Sequence, residues 1–220
     1  MSKTIQKLSA DSDTILSAIS KLELSKKRRF NQTYEIIVNL ADVDLKKVAN
    51  KMNLILKLPN KISKESKVCI FAEKDVAKLA EEAGADAVIR KSDLDKLQGN
   101  KRELKKLAKK YNFYLAQPEM MPVVGKLLGQ YLGAKGKLPQ VLHPNTDVAN
   151  LVKDLKQSVR IRIKNQPTLS CAIGKEGDDP KKLAENAIFV INEIQRVLAG
   201  EGRIKSVYIK KTMSNPIRVR

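Results

Sequence analysis

The segment MMPVVGKLLGQYLGAKGKLPQVLHP, from Met120 to Pro144, combines four glycines, three lysines and three prolines with no acidic residue. Glycine recurs at every fourth position from Gly125 to Gly133, which predicts a helix that carries these glycines on one face. Gly133 and Gly136 then suit the left-handed conformation that ends a helix. A basic loop, LysGlyLysLeuPro, follows at 135–139. This composition favours a recognition surface over an ordinary core element.

The whole chain is strongly basic. It has 220 residues with 42% hydrophobic content, enough for one large or two small domains, and 43 Lys and Arg against 24 Asp and Glu give a formal charge of +19. Such an excess usually persists because a polyanion neutralises it. Nucleic acid is the first candidate and an anionic membrane surface the second. No apolar run approaches the roughly 20 residues that span a bilayer, and the N-terminal sequence lacks the hydrophobic core of a signal peptide. We therefore expect a cytoplasmic protein.

The charge is unevenly distributed along the chain. Residues 1–65 and 157–220 together hold 26 of the 43 basic and 13 of the 24 acidic side chains. The 91 residues between them carry a net charge of only +6. The two ends therefore predict the principal electrostatic surface.

Hydrophobic periodicity divides the chain in the same way. The middle, 66–156, alternates strands and helices, which favours a parallel sheet covered by helices. Its predicted strands are 67–72, 86–89 and 112–116, and its predicted helices are 75–83 and 102–110. The ends contain alternating strands at 33–40, 54–58, 159–164, 168–173 and 204–209, with a helix at 182–198. A turn at Gln166-Pro167 predicts a hairpin between the strands on either side of it.

This pattern predicts an α/β protein of two domains. One domain is built from 1–65 and 157–220, and the other, 66–156, is inserted into it. The chain would cross between the domains twice, near 65 and near 157, and such a double connection permits hinge motion.

Two clusters of cations in the ends are candidate binding sites. The run Lys26–Arg29 precedes Phe30 and Thr33, and cations beside an aromatic ring can grip phosphates while the ring packs on a sugar or base. The alternative is a solvated helix end. Arg160, Arg162 and Lys164 share one face of a predicted strand, which favours an anionic ligand over a plain solvated face.

A third candidate is the loop from Lys210 to Pro216, KKTMSNP, which follows a strand. Its amides and hydroxyls could hydrogen-bond RNA phosphates and 2′-hydroxyls. An ordinary turn would use Ser, Asn and Pro in the same way.

Signals for catalysis are weak. The single histidine, His143, precedes a proline and has no neighbouring triad partner. Neither GxxxxGK[ST] nor GxGxxG occurs, so a nucleotide-dependent enzyme is the disfavoured alternative. Cys69 and Cys171 are isolated in apolar surroundings, which indicates buried free thiols and excludes a zinc site of usual spacing. We predict neither an enzyme nor a bound metal or cofactor.

Four segments resemble one family. They are VVGKLLGQYLGAKGKLP (123–139), FNQTYEIIVNL (30–40), CAIGKE (171–176) and SVYIKKTMSNP (206–216). Together they resemble the large-subunit ribosomal protein one family (universal ribosomal protein L-one) over nearly the whole chain. The sequence KKRRFNQTYE (26–35) resembles that of the archaeal members of this family.

The resemblance implies a terminal RNA-binding domain with a split β-α-β sheet and an inserted Rossmann-like domain. It implies binding of large-subunit rRNA to form the mobile stalk near the exit-site tRNA. It further implies binding to the protein's own mRNA leader, with repression of translation, and a monomer when free.

The resemblance also assigns residues. Phe30 and Thr33 match the family's RNA-contacting aromatic and hydroxyl residues, with Arg29 at the preceding basic position. Thr212 and Met213 match the Thr-Met of its C-terminal loop. The other residues that we include in the RNA-binding set are Arg160, Arg162, Lys164, Lys175 in the Gly-Lys loop, Lys211, and Ser214, where the family commonly has glycine. The lysines that we expect to face exit-site tRNA are Lys126, Lys135 and Lys137.

Overall fold

The computed structural model describes residues 2–26, 28–44, 53–63, 65–143, 146–163, 166–198 and 202–219. The helices in chain order are α1 (Ser2–Glu23), α2 (Lys74–Glu82), α3 (Lys91–Leu97), α4 (Lys101–Lys110), α5 (Met121–Ala134), α6 (Val148–Lys156) and α7 (Pro180–Leu198). The strands are β1 (Thr33–Ala41), β2 (Asn53–Lys57), β3 (Val68–Phe71), β4 (Ala87–Ile89), β5 (Phe113–Ala116), β6 (Gln140–Val141), β7 (Ser158–Arg162), β8 (Thr168–Lys175), β9 (Arg203–Lys211) and β10 (Ile217–Arg218).

The chain forms two compact units. The terminal unit contains Met1–Lys64 and Val159–Arg220, and the inserted unit contains Glu65–Ser158. The architecture is mixed α/β, as the sequence predicts. Hinge motion about the two connections stays a prediction. Among the described helices, none combines the length and apolarity that crossing a bilayer requires.

The terminal unit is built on a four-stranded sheet in the order β10-β9-β1-β8. Strand β1 runs antiparallel to both β8 and β9, so β8, α7 and β9 form a split β-α-β unit with β1 between its two parallel strands. Alternate residues of β1, from Tyr34 to Leu40, are buried. They join the apolar stripe of α7 in one core. The predicted alternation of β1 and the predicted helix are therefore both confirmed.

The predicted hairpin between 159–164 and 168–173 is wrong. Strand β7 pairs with β2 in a separate two-stranded sheet, whereas β8 pairs with β1. The reason is that β1 offers β8 a ladder of seven paired residues, which a local turn cannot match. Ile161 and Ile163 still point into the same core as the main sheet. The backbone amide of Leu40 donates to the Pro167 carbonyl at 2.8 Å, so the turn is tied to β1.

The inserted unit contains a parallel sheet in the order β4-β3-β5-β6. All four residues of β3 and all four of β5 are buried, as expected for the centre of a parallel sheet with helices on its faces. Cys69 in β3 and Cys171 in β8 are buried and free. Burial raises the pKa of each thiol to about 12, so both stay protonated at neutral pH.

One long helix and several short elements were not predicted from the sequence. They are α1, α3, α6, β6 and β10. Helix α6 has a local signal that periodicity missed, because the Asp147 carboxylate accepts from the Asn150 amide at 3.1 Å as an N-cap. Asn100 caps α4 in the same way through the Glu103 amide.

The predicted glycine-bearing helix is α5. Its end is as predicted at Gly136 but not at Gly133, which lies inside the helix and is not among the glycines with positive φ. Gly136 has φ +64°, and the Lys137 amide donates to the Leu132 carbonyl at 2.9 Å to close the last turn. A Cβ added at Gly125 or Gly129 would have no neighbour within 4 Å. These two glycines are therefore not required by packing within the described chain. Glycine inside a helix weakens it relative to alanine.

We predict that Gly129→Ala raises the free energy of unfolding by about 0.5–1 kcal/mol, because it removes unfolded-state entropy without a clash. Gly174 is the matched contrast. A Cβ there would clash with Cδ2 of the buried Leu183 and would lie 3.0 Å from Oδ2 of Asp178, so Gly174→Ala should destabilise by about 1–3 kcal/mol. Urea unfolding followed by circular dichroism measures both. A destabilised Gly129→Ala variant would show that the open helix face is needed for folding.

Candidate nucleic-acid interface

Three loops that are distant in sequence meet at one end of the terminal sheet. Strand β1 begins where β8 and β9 end, because it is antiparallel to both, and its first residues pair Thr33 with Lys175 and Tyr34 with Lys211. We call the three-loop surface the segments 29–33, 175–177 and 212–214. It brings together seven residues of the RNA-binding set: Arg29, Phe30, Thr33, Lys175, Thr212, Met213 and Ser214.

Hydrogen bonds donated by backbone amides hold the first and third loops together. The Thr33 amide donates to Oγ1 of Thr212 at 3.1 Å, and the Thr212 amide donates to the Thr33 carbonyl at 3.1 Å. The Met213 amide donates to Oε1 of Gln32 at 3.0 Å. These bonds fix the Met213 backbone directly, and Phe30 lies two residues before the bonded Gln32; the side chains of Phe30 and Met213 remain 52% and 58% exposed. Two large apolar side chains thus face solvent on a preorganised base.

Ser214 closes the turn after β9. Its Oγ accepts from the Lys211 amide at 2.7 Å, and its own amide donates to the Lys211 carbonyl at 3.0 Å. Among the described non-glycine residues, positive φ occurs at Asp42 and Lys74 alone. Serine is therefore accommodated without strain at the position where the resembling family commonly has glycine. Its hydroxyl stabilises the turn by accepting the hydrogen bond from the Lys211 amide.

Lys211 does not lie on the surface. The sequence predicts it as an RNA-binding residue of the C-terminal loop, but it is the last residue of β9 and its side chain is only 1% exposed. Its Nζ lies 2.7 Å from Oε1 of Glu176 and 5.9 Å from the ring centroid of Tyr34. A buried ammonium requires a counter-charge, and this residue supports the surface instead of extending from it.

Glu176 connects the three loops. Its Oε2 accepts from the Gln32 amide at 3.0 Å, and its own amide donates to the Gln32 carbonyl at 2.9 Å. The hydrogen bond from Lys211 and that from the Gln32 amide hold the pKa of this carboxyl below its usual value. Sequence reasoning missed Gln32 and Glu176 as supporting residues, because no local pattern couples positions 144 residues apart.

A cleft of about 450 Å³ lies beside the three-loop surface. Burial, and then the carboxylates of Glu23 and Glu176, raise the pKa of the Tyr34 phenol in this cleft to about 12. The cleft therefore presents neutral, anionic and cationic groups side by side. Its lining residues are Glu23, Arg28, Asn31, Tyr34, Glu176, Gly177 and Lys211.

The strand cations lie elsewhere in the terminal unit. Arg160 and Arg162 belong to β7, in the two-stranded sheet, and both are half-buried. Nε of Arg160 and Nη1 of Arg162 are buried atoms, so this strand face is not a freely solvated row of charges. Lys164 falls outside the described residues.

The lysines assigned to tRNA lie in the inserted unit and differ in exposure. Lys126 is exposed on α5, while Lys135 and Lys137 are half-buried. Nζ of Lys137 donates to the Tyr111 carbonyl at 2.5 Å, which turns it inward. His143 is exposed, and within the described part of the chain no three His, Cys, Asp or Glu side chains are grouped to hold a metal ion.

We predict that Glu176→Gln destabilises the protein by about 3 kcal/mol, because it leaves the buried Lys211 ammonium without its counter-charge. Lys211→Met should cost only about 1 kcal/mol, because Glu176 stays partly solvated and keeps the Gln32 amide as a donor. Urea unfolding at pH 7 compares the two. A larger loss for Lys211→Met would contradict this order.

The lowered pKa of Glu176 predicts a pH dependence. A carboxyl whose pKa is depressed on folding stabilises the native state above its unfolded pKa, and this stabilisation is lost as pH falls through the folded value. The wild type should therefore lose more unfolding free energy between pH 7 and pH 3 than Glu176→Gln does. Unfolding curves for both proteins at several pH values test this, and equal losses would show that Glu176 contributes nothing to acid sensitivity.

Comparison with known proteins gives a consistent result. Residues 20–215 match the Ribosomal protein L1p/L10e family. The chain is 41% identical over 209 residues to large ribosomal subunit protein uL1 of Pyrobaculum arsenaticum, with 94% of each chain covered. It is 46% identical over 195 residues to uL1 of Thermofilum pendens, covering 88% of this chain and 86% of the relative. It is 39% identical over 211 residues to uL1 of Archaeoglobus fulgidus, covering 95% and 98%.

These relatives carry the names of ribosomal proteins and not of enzymes, in agreement with the absence of catalytic motifs from the sequence. They are archaeal, as the sequence KKRRFNQTYE (26–35) indicates. Over nearly its full length, and with the split β-α-β sheet and inserted parallel sheet described above, the chain belongs to the ribosomal protein L1p/L10e family, in its archaeal branch.

Proposed function

We propose that the protein is a constituent of the large ribosomal subunit and binds large-subunit rRNA through the three-loop surface. The observation that carries this proposal is the exposure of Phe30 and Met213 on two loops that are held together by hydrogen bonds from the Thr33 and Met213 amides. Large exposed apolar side chains on a rigid base are suited to packing on ribose and base faces. The names of the relatives support a ribosomal site.

The polar groups of the surface suit RNA rather than DNA. Oγ1 of Thr212 accepts one hydrogen bond from Thr33 and retains a lone pair for a ribose 2′-hydroxyl. In the neighbouring cleft, the carboxylate of Glu23 can accept from a hydroxyl, while Arg28 can pair with a phosphate. The 2′-hydroxyl is both donor and acceptor, and it distinguishes RNA from DNA.

The surrounding charge supplies affinity. The two terminal segments carry a net charge of +13, so phosphate contacts release counterions and binding weakens with salt. With about five to eight phosphate contacts, the logarithm of affinity should fall steeply with the logarithm of salt concentration. The fixed loops would then select RNA shape, while the cations supply attraction.

The finer parts of the proposal follow from the family. We infer that the bound rRNA and this protein form a mobile stalk beside the exit-site tRNA on the cytoplasmic ribosome. We also infer that a similar structure in the protein's own mRNA leader binds the same three-loop surface and represses translation. Neither role needs a cofactor.

We predict that Phe30→Ala and Met213→Ala each weaken binding to the cognate rRNA fragment by about 1–3 kcal/mol, the value of one stacked contact. Leu79→Ala is the matched control, because Leu79 is also 52% exposed but lies in the inserted unit, and it should change affinity by less than about twofold. Crosslinking to total rRNA identifies the fragment, and filter binding measures affinity. Equal losses of rRNA affinity in all three variants would show that the three-loop surface is not the rRNA-binding site.

We predict that the same substitution acts on both RNA targets. Met213→Ala should weaken binding to the rRNA fragment and to the mRNA leader by similar factors, because one surface serves both. Parallel titrations of wild type and variant with the two RNAs measure this. If only rRNA binding falls, the mRNA does not use the three-loop surface, and if the wild type does not bind the leader above random RNA, autoregulation by this route is excluded.

A further inference from the structure

The excess positive charge of the inserted unit is confined to one stretch. Residues 101–137 contain nine Lys and Arg against two acidic residues, whereas the rest of the unit, 65–100 and 138–158, contains eight basic and ten acidic residues. The stretch comprises α4, β5 and α5. The terminal unit is therefore not the sole electrostatic surface of the molecule, and the small net charge of the middle conceals a strongly basic region.

Helices α4 and α5 border a groove of about 410 Å³. Three lysines stand around it, two from α4 and one from the end of α5. Its lining is mainly apolar, with Tyr131 as its aromatic ring. The lining residues are Lys105, Ala108, Lys109, Gln130, Tyr131, Ala134 and Lys135.

The lysines of the groove repel one another. Lys105 and Lys109 are four residues apart on one helix, where like charges are unfavourable. Desolvation, and then the charge of Lys109, lower the pKa of Lys135. Within the described residues the ion pair of this helix is formed by Lys106 with Glu103 at 2.7 Å. The groove lysines have no such partner in the described part of the chain, so their mutual repulsion opposes folding.

We propose that this groove is a second RNA-binding surface, which holds a single-stranded phosphate backbone between α4 and α5. A row of cations supplies the electrostatic attraction, and Tyr131 supplies a face on which a base or ribose can stack. The complementary charge of the phosphates relieves the repulsion among the three lysines. An acidic protein segment would satisfy the lysines but would make less use of the aromatic ring. This inference does not depend on the three-loop surface, which lies in the other unit.

The experiment compares two double charge reversals in the full-length protein. Lys105→Glu/Lys109→Glu alters the groove, and Lys78→Glu/Lys153→Glu makes the same change in net charge at exposed lysines of α2 and α6. The probe is a fluorescein-labelled 12-nucleotide RNA of mixed sequence, and anisotropy is followed from 50 to 300 mM KCl. The groove variant should bind about tenfold more weakly at 50 mM KCl, and its salt slope should decrease by about 1.4, the value for two single-strand phosphate contacts. The control should stay within about twofold of wild type with an unchanged slope.

Tyr131→Leu separates stacking from charge. It should weaken binding about fivefold and leave the salt slope unchanged, because no cation is lost. Lys105→Ala/Lys109→Ala guards against an effect of misfolding: it should reduce affinity in the same direction by a smaller factor while the thermal unfolding midpoint stays near that of wild type.

Two results would overturn the proposal. Equal weakening by the groove and control reversals would mean that RNA responds only to net charge. Weakened binding of labelled polyglutamate by the groove variant, with RNA affinity unchanged, would assign the groove to an acidic protein segment instead.

Discussion

The ion pair between Lys211 and Glu176 is the constraint on which the three-loop surface depends. Each partner comes from the end of a different strand, and Glu176 is bonded through both its side chain and its backbone to Gln32 at the start of β1. Removing an ammonium from water costs several kcal/mol, and a carboxylate at 2.7 Å offsets much of it. The pair therefore contributes little net stability. What it contributes is position, because the lysine is satisfied only when all three loops are assembled.

That arrangement separates two tasks that a basic loop is often assumed to combine. Lys211, at the end of β9, faces inward and is paired with Glu176, whereas the apolar side chains of Phe30 and Met213 face outward. If this surface binds RNA as we propose, specific recognition depends on shape and on fixed hydrogen-bonding groups. The long-range attraction comes from cations spread over the whole unit, whose individual contributions are screened at physiological salt. In the inserted unit three lysines line one groove, where on our proposal they would supply the attraction themselves.

The sequence predicts the parts of this fold that depend on local periodicity. Strand β1 alternates and α7 carries an apolar stripe, so both are recognisable from the spacing of Ile, Val, Leu and Ala alone. The β7–β8 hairpin was wrong because strand partners are chosen among all strands, and β1 offers a longer ladder than the local turn does. The candidate site was predictable only as separate segments. Their convergence follows from β1 running antiparallel to both neighbours, which no single segment encodes.

The burial of Lys211 shows more clearly what local sequence patterns cannot predict. In the sequence Lys210 and Lys211 are equivalent cations, and strand alternation alone would bury one of them. The strand register decides which lysine is buried. Lys211 pairs with Tyr34, which belongs to the buried face of β1, so its ammonium points to the core side, where it contacts Glu176. The glycine-rich segment behaves similarly. Its lysines appear equivalent in sequence, yet one turns inward to the Tyr111 carbonyl and another lines the α4–α5 groove. Charge in a sequence therefore predicts that a polyanion binds, whereas burial and register decide which cations can reach it.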